Sequence, residues 1–478
     1  MRYQMIDLQL ERTYSLAEFT EIANADTCII GVHLNRAIGA SSLPTDPLVA
    51  TRQADDFNSM SAANAYAKLF GTNAISPGTD VIVGVVDSGI RHLDSTYQTQ
   101  LNDALIEIYN THPDLAANLW NGPSGQVGTW IGPAASVGPF GSYPIDMGIA
   151  YRSNLTAQYE RTFHGTHVAG TIAAVSNNGI GGAGVAGRVA KIMSVKVTSS
   201  RVIRAVRIDN GSSSTLRDIT NGILWAVDPT GKPGGRIAEV INISMGTSPI
   251  NKAAVPLGFD SAFRSALGTA VSRGVVVAVS AGNNSLPLDQ FTVLPASLGS
   301  EINGVMTVGA FNSKTGQWAG FSNYGGMSVE LAAPGVDVLS AIREDEDDPS
   351  RPNHPENTVG YGILSGTSMA SPQVAGAMAL AIAYLKSRGV TYTAADIEQL
   401  VKVSGRRSTG FTHFGPTVMH STQNRALDLD NLADNLIRFA AGQPIVVSGS
   451  SRSGVIRANS SESRIQQEAS QVSFGACP

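Results

Sequence analysis

Cysteine is nearly absent: the 478 residues include only Cys28 and Cys477, close to opposite ends. So few thiols lean toward an oxidising compartment. Two readings of the pair stay open, a Cys28–Cys477 disulfide or a buried free Cys28 with Cys477 in a loose tail. Charge is also scarce, at 15% of residues with a formal net charge of -5, so there is no basic footprint for a nucleic acid. No apolar run reads as long enough to span a membrane. The opening residues, Met1 to Asp7, lack an apolar stretch of the kind that an intact signal peptide needs. Either a signal has been removed or the chain is cytosolic. What is plentiful is apolar residues, 42%, which supports a large buried core and argues against disorder. Glycine is plentiful too, with 50 residues, many in clusters that read as tight turns.

Residues 1–44 read as a small unit of their own, with a helical pattern over about Ser15–Ala25 and a strand over Cys28–Leu34. Residues 40–48 read as an exposed connector. Beyond it, Val81–Val86, Ile192–Val197, Glu239–Ile243, Val275–Val279 and Gly304–Val308 read as buried parallel strands. Helical patterns over about Thr215–Val227 and Ser261–Arg273 lie between them. This alternation predicts a doubly wound, mostly parallel α/β sheet flanked by helices. Such a sheet places its ligands at the carboxyl ends of the strands. The stretch 122–160 reads as a long surface excursion, Glu344–Asp348 as a solvated acidic loop, and 441–478 as a Ser-rich extension of loose tail or added strands.

Acyl transfer from an amide needs a nucleophile, a base, a group that orients the base, and oxyanion donors. Ser368 lies in Ser365-Gly366-Thr367-Ser368-Met369-Ala370-Ser371-Pro372, a glycine turn leading into a small-residue helix over Gln373 to about Leu385. There it has the positive end of a helix dipole and free N–H groups beside it. Pro372 fits a first turn, where a missing N–H costs little. The other reading of Ser368 is a helix cap. His164, in His164-Gly165-Thr166-His167-Val168-Ala169-Gly170, is the candidate base; zinc binding by His164 and His167 lacks a completing carboxylate. Asp87 ends an apolar strand before Ser88-Gly89, where a carboxylate must be paired or hydrogen-bonded. It serves either to orient the base or to cap the turn. Asn283, in Ser280-Ala281-Gly282-Asn283-Asn284, offers an amide donor to an oxyanion.

Together these segments resemble the subtilisin-like serine proteases, the subtilases, whose chain order Asp, His, Ser is the same. The likeness extends through Ile241-Asn242-Ile243-Ser244-Met245-Gly246, Phe321-Ser322-Asn323-Tyr324-Gly325 and Ala333-Pro334-Gly335-Val336, and so covers about residues 45–440. One departure is Gln373, where many members carry histidine.

The resemblance implies a serine endopeptidase working through an acyl-enzyme on protein or peptide substrates. It needs no catalytic cofactor and is expected to be a secreted or periplasmic monomer. Asp87, His164, Ser368 and Asn283 are its implied catalytic groups. Ser244, Met245 and Gly246 would form one wall of the S1 pocket, and Ala281, Gly282 and Asn283 the other. Gly211 to Ser214 would form the opposite edge. These backbones would pair with an extended substrate chain. No charged selector is visible, which implies broad specificity with an apolar S1 preference. A structural calcium site is implied by Ser176-Asn177-Asn178-Gly179-Ile180-Gly181-Gly182. Its ligands would be Asp114, the Asn178 side chain, the carbonyls of Ser176, Ile180 and Gly182, and Gln53. The alternative is a plain Asn-Gly turn with Asp114 capping a helix. In Asp428-Leu429-Asp430-Asn431, Asp430 or Asn431 is expected to cap a helix that begins near Leu432. Residues 1–44 resemble the last part of an inhibitory propeptide, an intramolecular partner removed on maturation. Insertions at 91–111 and 122–160 could border the cleft. A catalytically silent binding scaffold is the contrasting reading, and the retention of all four catalytic groups argues against it.

Overall fold

The computed structural model describes residues 43–72, 74–90, 111–120, 129–131, 164–198, 202–203, 206–207, 214–230, 232–342, 360–411, 420–421, 424–447 and 453–454. All of them fall in one compact unit, Ser42–Ser461. The Cys28–Cys477 pair, the acidic run 344–348, Gly211 and most of the two insertions lie outside the described residues. So does the N-terminal segment up to residue 42.

Seven strands supply the central parallel frame: β1 (Val81–Asp87), β2 (Thr129–Ile131), β3 (Ala190–Lys196), β4 (Val240–Ile243), β5 (Val276–Ser280), β6 (Val305–Phe311) and β7 (Leu331–Pro334). A short hairpin follows, β8 (Val338–Ala341) with β9 (Tyr361–Leu364), and then β10 (Arg406–Arg407) and β11 (Arg425–Ala426). The main sheet has nine strands in the order β10-β11-β7-β6-β5-β4-β1-β3-β2. Its pairings are parallel except the edge pair of β10 and β11. The five strands predicted between residues 81 and 308 are all present, with ends shifted by at most three residues, while the strand expected over Cys28–Leu34 lies outside the described residues.

The strands are apolar on both faces because both faces are covered. Val81, Val83 and Val85 point into one core, while Ile82 and Val86 point into another. Helices α1 (His164–Ala173), α4 (Thr367–Ser387), α5 (Ala394–Ser404) and α6 (Leu429–Ala440) close the first core. Helices α2 (Leu216–Val227) and α3 (Ser261–Ser272) close the second. This is the doubly wound α/β architecture that the alternation predicts.

Three local expectations are corrected. Helix α4, 21 residues long, does meet the length and hydropathy of a membrane span, but 94% of that window is buried. Its Ala and Gly residues let it pass through the first core against several strands, which is why its composition looks membrane-like. The stretch 40–48 is not simply exposed: Pro44 and Asp46 are buried. Helix α6 begins at Leu429, and its cap is Asp428, whose carboxylate accepts the Asn431 N–H at 3.0 Å. An Asx cap bonds two or three residues ahead, so the Asp428 carboxylate reaches the Asn431 N–H from the position before Leu429.

Candidate active site

The sheet delivers the site by register. Strands β5, β4 and β1 are neighbours and parallel, so the segments after Ser280, Ile243 and Val86 emerge along one edge. They carry Asn283, Ser244 and Asp87.

Asp87 is fully buried, and its Oδ1 accepts the Ser88 N–H at 2.7 Å. The same oxygen meets His164 Nδ1 at 2.8 Å. His164 opens helix α1, and the helix sits this close because of Gly165. A Cβ there would lie 2.1 Å from the Gly89 carbonyl oxygen and 3.2 Å from Asp87 Cβ. The Gly165 N–H also donates to Ser88 Oγ at 2.9 Å. Beneath this turn the buried Lys196, paired in register with Asp87, donates to the Ser88 carbonyl. His167 has a different fate. Its Nε2 is engaged by the carbonyls of Val338 and Gly362 at 3.0 and 3.1 Å. Burial, helped by the nearby His164, pushes it down to about 3, so it stays neutral.

Ser368 is the second residue of α4, not a residue ahead of it, and Gly366 is the cap. Its Oγ donates to the Ser244 carbonyl at 3.0 Å. Asn283 faces the same helix end. Its Oδ1 accepts the Thr367 N–H at 2.8 Å and the Thr367 hydroxyl at 2.9 Å. A backbone N–H can only donate, so this contact fixes the amide's orientation and leaves Nδ2 as the outward donor. The segment bearing Asn283 is itself clamped by buried Asn323. Asn323 Nδ2 donates to the Ala281 carbonyl at 2.9 Å, and Oδ1 accepts the N–H groups of Asn284 and Leu286, both at 3.0 Å. Gly282 has φ 98°, and a Cβ on it would lie 2.5 Å from Asn323 Nδ2. Only glycine makes this turn beside that clamp.

Ser244 and Ala281 are buried, Met245 and Gly282 half-buried, and Gly246 exposed. The first wall is braced from behind, where the Thr247 N–H donates to the Leu294 carbonyl at 2.8 Å. Ser214 bridges to Thr198, and its Oγ donates to the Val197 carbonyl at 2.6 Å.

The six residues of the implied metal site converge in part. Asp114 is buried, and its carboxylate joins the loop instead of capping a helix. It accepts from Asn178 Nδ2 at 2.8 Å, the Gly182 N–H at 3.2 Å and the Tyr361 hydroxyl at 3.0 Å. Burial pushes it up to about 6; those hydrogen bonds pull the other way, and the Asp46 carboxylate adds to the rise. Asn178 Oδ1 accepts the Ile180 N–H at 3.0 Å. Gln53 Oε1 accepts the Ala183 N–H at 2.9 Å, beside Gly182. Ser176 lies at the start of the loop. The donor set becomes oxygen-only when the Asn178 amide makes a half-turn, which releases the Ile180 N–H and presents the amide oxygen beside the Asp114 carboxylate. That arrangement suits a hard cation between them.

Sequence reasoning missed Asp46. Its carboxylate accepts the N–H groups of Asn177, Asn178 and Gly179 at 2.6, 2.9 and 3.1 Å. The Leu48 N–H donates to the Gly181 carbonyl at 2.8 Å. The available signal was an acid between two prolines, Pro44 and Pro47, in a segment too apolar for a free linker.

The Subtilase family profile matches residues 78–433, and the chain belongs to that family. It is 29% identical to an extracellular protease of Xanthomonas campestris pv. campestris over 84% of this chain and 60% of that protein. It is 38% identical to subtilisin E of Bacillus subtilis over 49% of this chain and 48% of that one. The chain thus spans about half the length of the curated relatives that it matches. Among solved structures, one described as proteases from Pseudoalteromonas arctica superposes with a TM-score of 0.56 at 27% identity. That match covers 82% of this chain and 99% of that one.

Proposed function

We propose that the chain is a secreted serine endopeptidase in which Ser368 attacks the scissile carbonyl. The observation that carries this reading is the 2.8 Å contact between His164 Nδ1 and buried Asp87, at the strand edge where the Ser368 helix starts. Asp87 holds the imidazole with its Nδ1 protonated, so Nε2 is left to take the Ser368 proton once that hydroxyl turns from the Ser244 carbonyl. The tetrahedral oxyanion would receive Asn283 Nδ2 and the Ser368 N–H, two donors fixed before substrate arrives. Collapse expels the amine, protonated by His164, and leaves an acyl group on Ser368; water, deprotonated by the same imidazole, then releases it. The backbones of Ser244–Gly246 and Ala281–Asn283 would pair with the substrate, with Gly211 and Ser214 on the opposite edge. Pairing through backbone supports broad specificity with an apolar S1 preference. Secretion is supported by the extracellular relatives. The test is digestion of an unfolded protein, reading new N-termini by mass spectrometry. Cleavage at many sites is expected, and a folded chain that cuts nothing would overturn the reading.

Asn283→Ala is expected to lower kcat by roughly 100- to 1,000-fold with little change in KM, because Nδ2 meets charge that exists only in the transition state. Steady-state kinetics on a peptide anilide checks this. A rise in KM alone would move Asn283 out of the oxyanion site.

Calcium fits the loop at Asp114, Asn178, Gln53 and the carbonyls of Ser176, Ile180 and Gly182, as a structural ion. Bound there, it would tie the segment at Gln53 to the loop after α1. A ligand that binds only the folded state stabilises it by about 2.7 kcal/mol at a hundredfold excess over Kd. Chelation is expected to lower the unfolding midpoint by several degrees, and calcium to restore it; Asp114→Ala should abolish that response. An unchanged midpoint on chelation would remove calcium from the account.

A further inference from the structure

Helix α4 contains a proline at an unexpected place. Pro372 lies in the second turn, not the first: the helix starts at Thr367, so residue 372 should donate to the carbonyl of residue 368. Proline has no N–H to give. The carbonyl left without its helical donor is therefore that of Ser368, the proposed nucleophile. Ser244 replaces the missing donor, its Oγ lying 2.9 Å from the Ser368 carbonyl oxygen.

The Ser244 hydroxyl is oriented in turn by two buried groups, Asn242 directly and Ser371 through Asn242. Asn242 Nδ2 donates to Ser244 Oγ at 2.9 Å. Ser371 Oγ is 2.9 Å from Ser244 Oγ and donates to Asn242 Oδ1, also at 2.9 Å. Ser371 gives its one proton to Asn242 Oδ1 and Asn242 Nδ2 donates to Ser244 Oγ, so the Ser244 proton is directed at the Ser368 carbonyl. Asn242 and Ser371 are fully buried and Ser244 is 3% exposed, so each bond is made away from water.

We infer that Asn242, Ser371 and Ser244 form a positioning network for the nucleophile, substituting for the N–H that Pro372 removes. Ser244 then grips Ser368 twice. Its hydroxyl binds the Ser368 carbonyl, and its own carbonyl accepts from the Ser368 Oγ. The gap in the helix frees the first turn from its own ladder, and the strand end after β4 sets where Ser368 stands. This inference rests on the proposed role of Ser368.

The test is a double-mutant cycle between Ser244→Ala and Pro372→Ala, read both in kinetics and in thermal unfolding. Ser244→Ala is expected to lower kcat about tenfold with KM nearly unchanged, the size of one lost hydrogen bond. Pro372→Ala restores an N–H for the Ser368 carbonyl. In that background the same change should cost no more than about twofold. Ser244→Thr, which keeps a hydroxyl, should retain most activity. Equal losses in both backgrounds, or a rise in KM alone, would overturn the inference. If Ser244→Ala does not fold, Ser371→Ala takes its place in the cycle, with a smaller loss that Pro372→Ala again suppresses; an unsuppressed loss overturns the inference. An inactive wild type whose unfolding still shows the coupling would sink the reading of Ser368 as nucleophile, and the positioning role with it, and leave only the hydrogen bond.

Discussion

Replacing Ser368 or His164 by alanine is expected to lower kcat about a million-fold, and replacing both should cost little more. That magnitude is the one known for subtilisin, a member of the same family, and does not come from this structure. The physical reason is that the two groups act as a unit. Ser368 Oγ is a weak nucleophile while it keeps its proton, and the imidazole held by Asp87 is the acceptor at hand as it attacks. Removing either partner therefore removes the same step. What remains, roughly 1,000- to 10,000-fold over water, belongs to Asn283, the helix N–H and substrate binding. KM should change little, because neither group is asked to bind the ground state. Single-turnover kinetics on a chromogenic peptide measures both terms. Losses that multiply in the double variant would mean that Ser368 and His164 act independently, contrary to the mechanism.

Asp87→Asn carries the second largest effect, a fall in kcat of about 10,000-fold. The change is nearly isosteric, so the Ser88 N–H and the His164 Nδ1 keep an oxygen to face at the Oδ1 position. Two things are lost. The negative charge that steadies the imidazolium disappears from a side chain that is itself shielded from solvent. An amide NH2 also takes the place of Oδ2, a buried atom with no hydrogen-bond partner among the described residues. If the amide flips to relieve that, its NH2 meets His164 Nδ1 and moves the proton to Nε2, the wrong tautomer for a base. Circular dichroism should show a folded chain, and kinetics a kcat effect much larger than any KM effect. A loss below about tenfold would make Asp87 a turn residue and not the orienter of His164.

The doubly wound sheet was legible because its strands are buried on both faces and so read as unbroken apolar runs such as Val81–Val86. The segments at Asp87, Asn283 and Ser368 were legible because each ends an apolar run at a glycine-bearing turn, and His164 because it opens a helix pattern of small residues. Their mutual contacts were not. Nothing in the sequence says that Asn283 Oδ1 lands on Thr367, or that Asn323, 40 residues on, clamps the same loop. Those bonds join segments that only the sheet register brings together. Asp46 was misread for a related reason. A Pro-rich stretch looks like an exposed connector until the loop at Asn177–Gly179 offers three N–H groups to its carboxylate. Pro372 was placed correctly near a helix start and wrongly within it. Its fixed φ suits any helical position, and only the true start at Thr367 shows which carbonyl it deprives.

The most direct test of the account is labelling of the folded chain with a serine-directed fluorophosphonate, followed by intact mass and peptide mapping. One adduct per chain, on Ser368 and absent from Ser368→Ala, is the predicted result. A folded chain that takes no label, or takes it on another serine, would contradict the claim that this subtilase-family chain is a serine endopeptidase acting through Ser368.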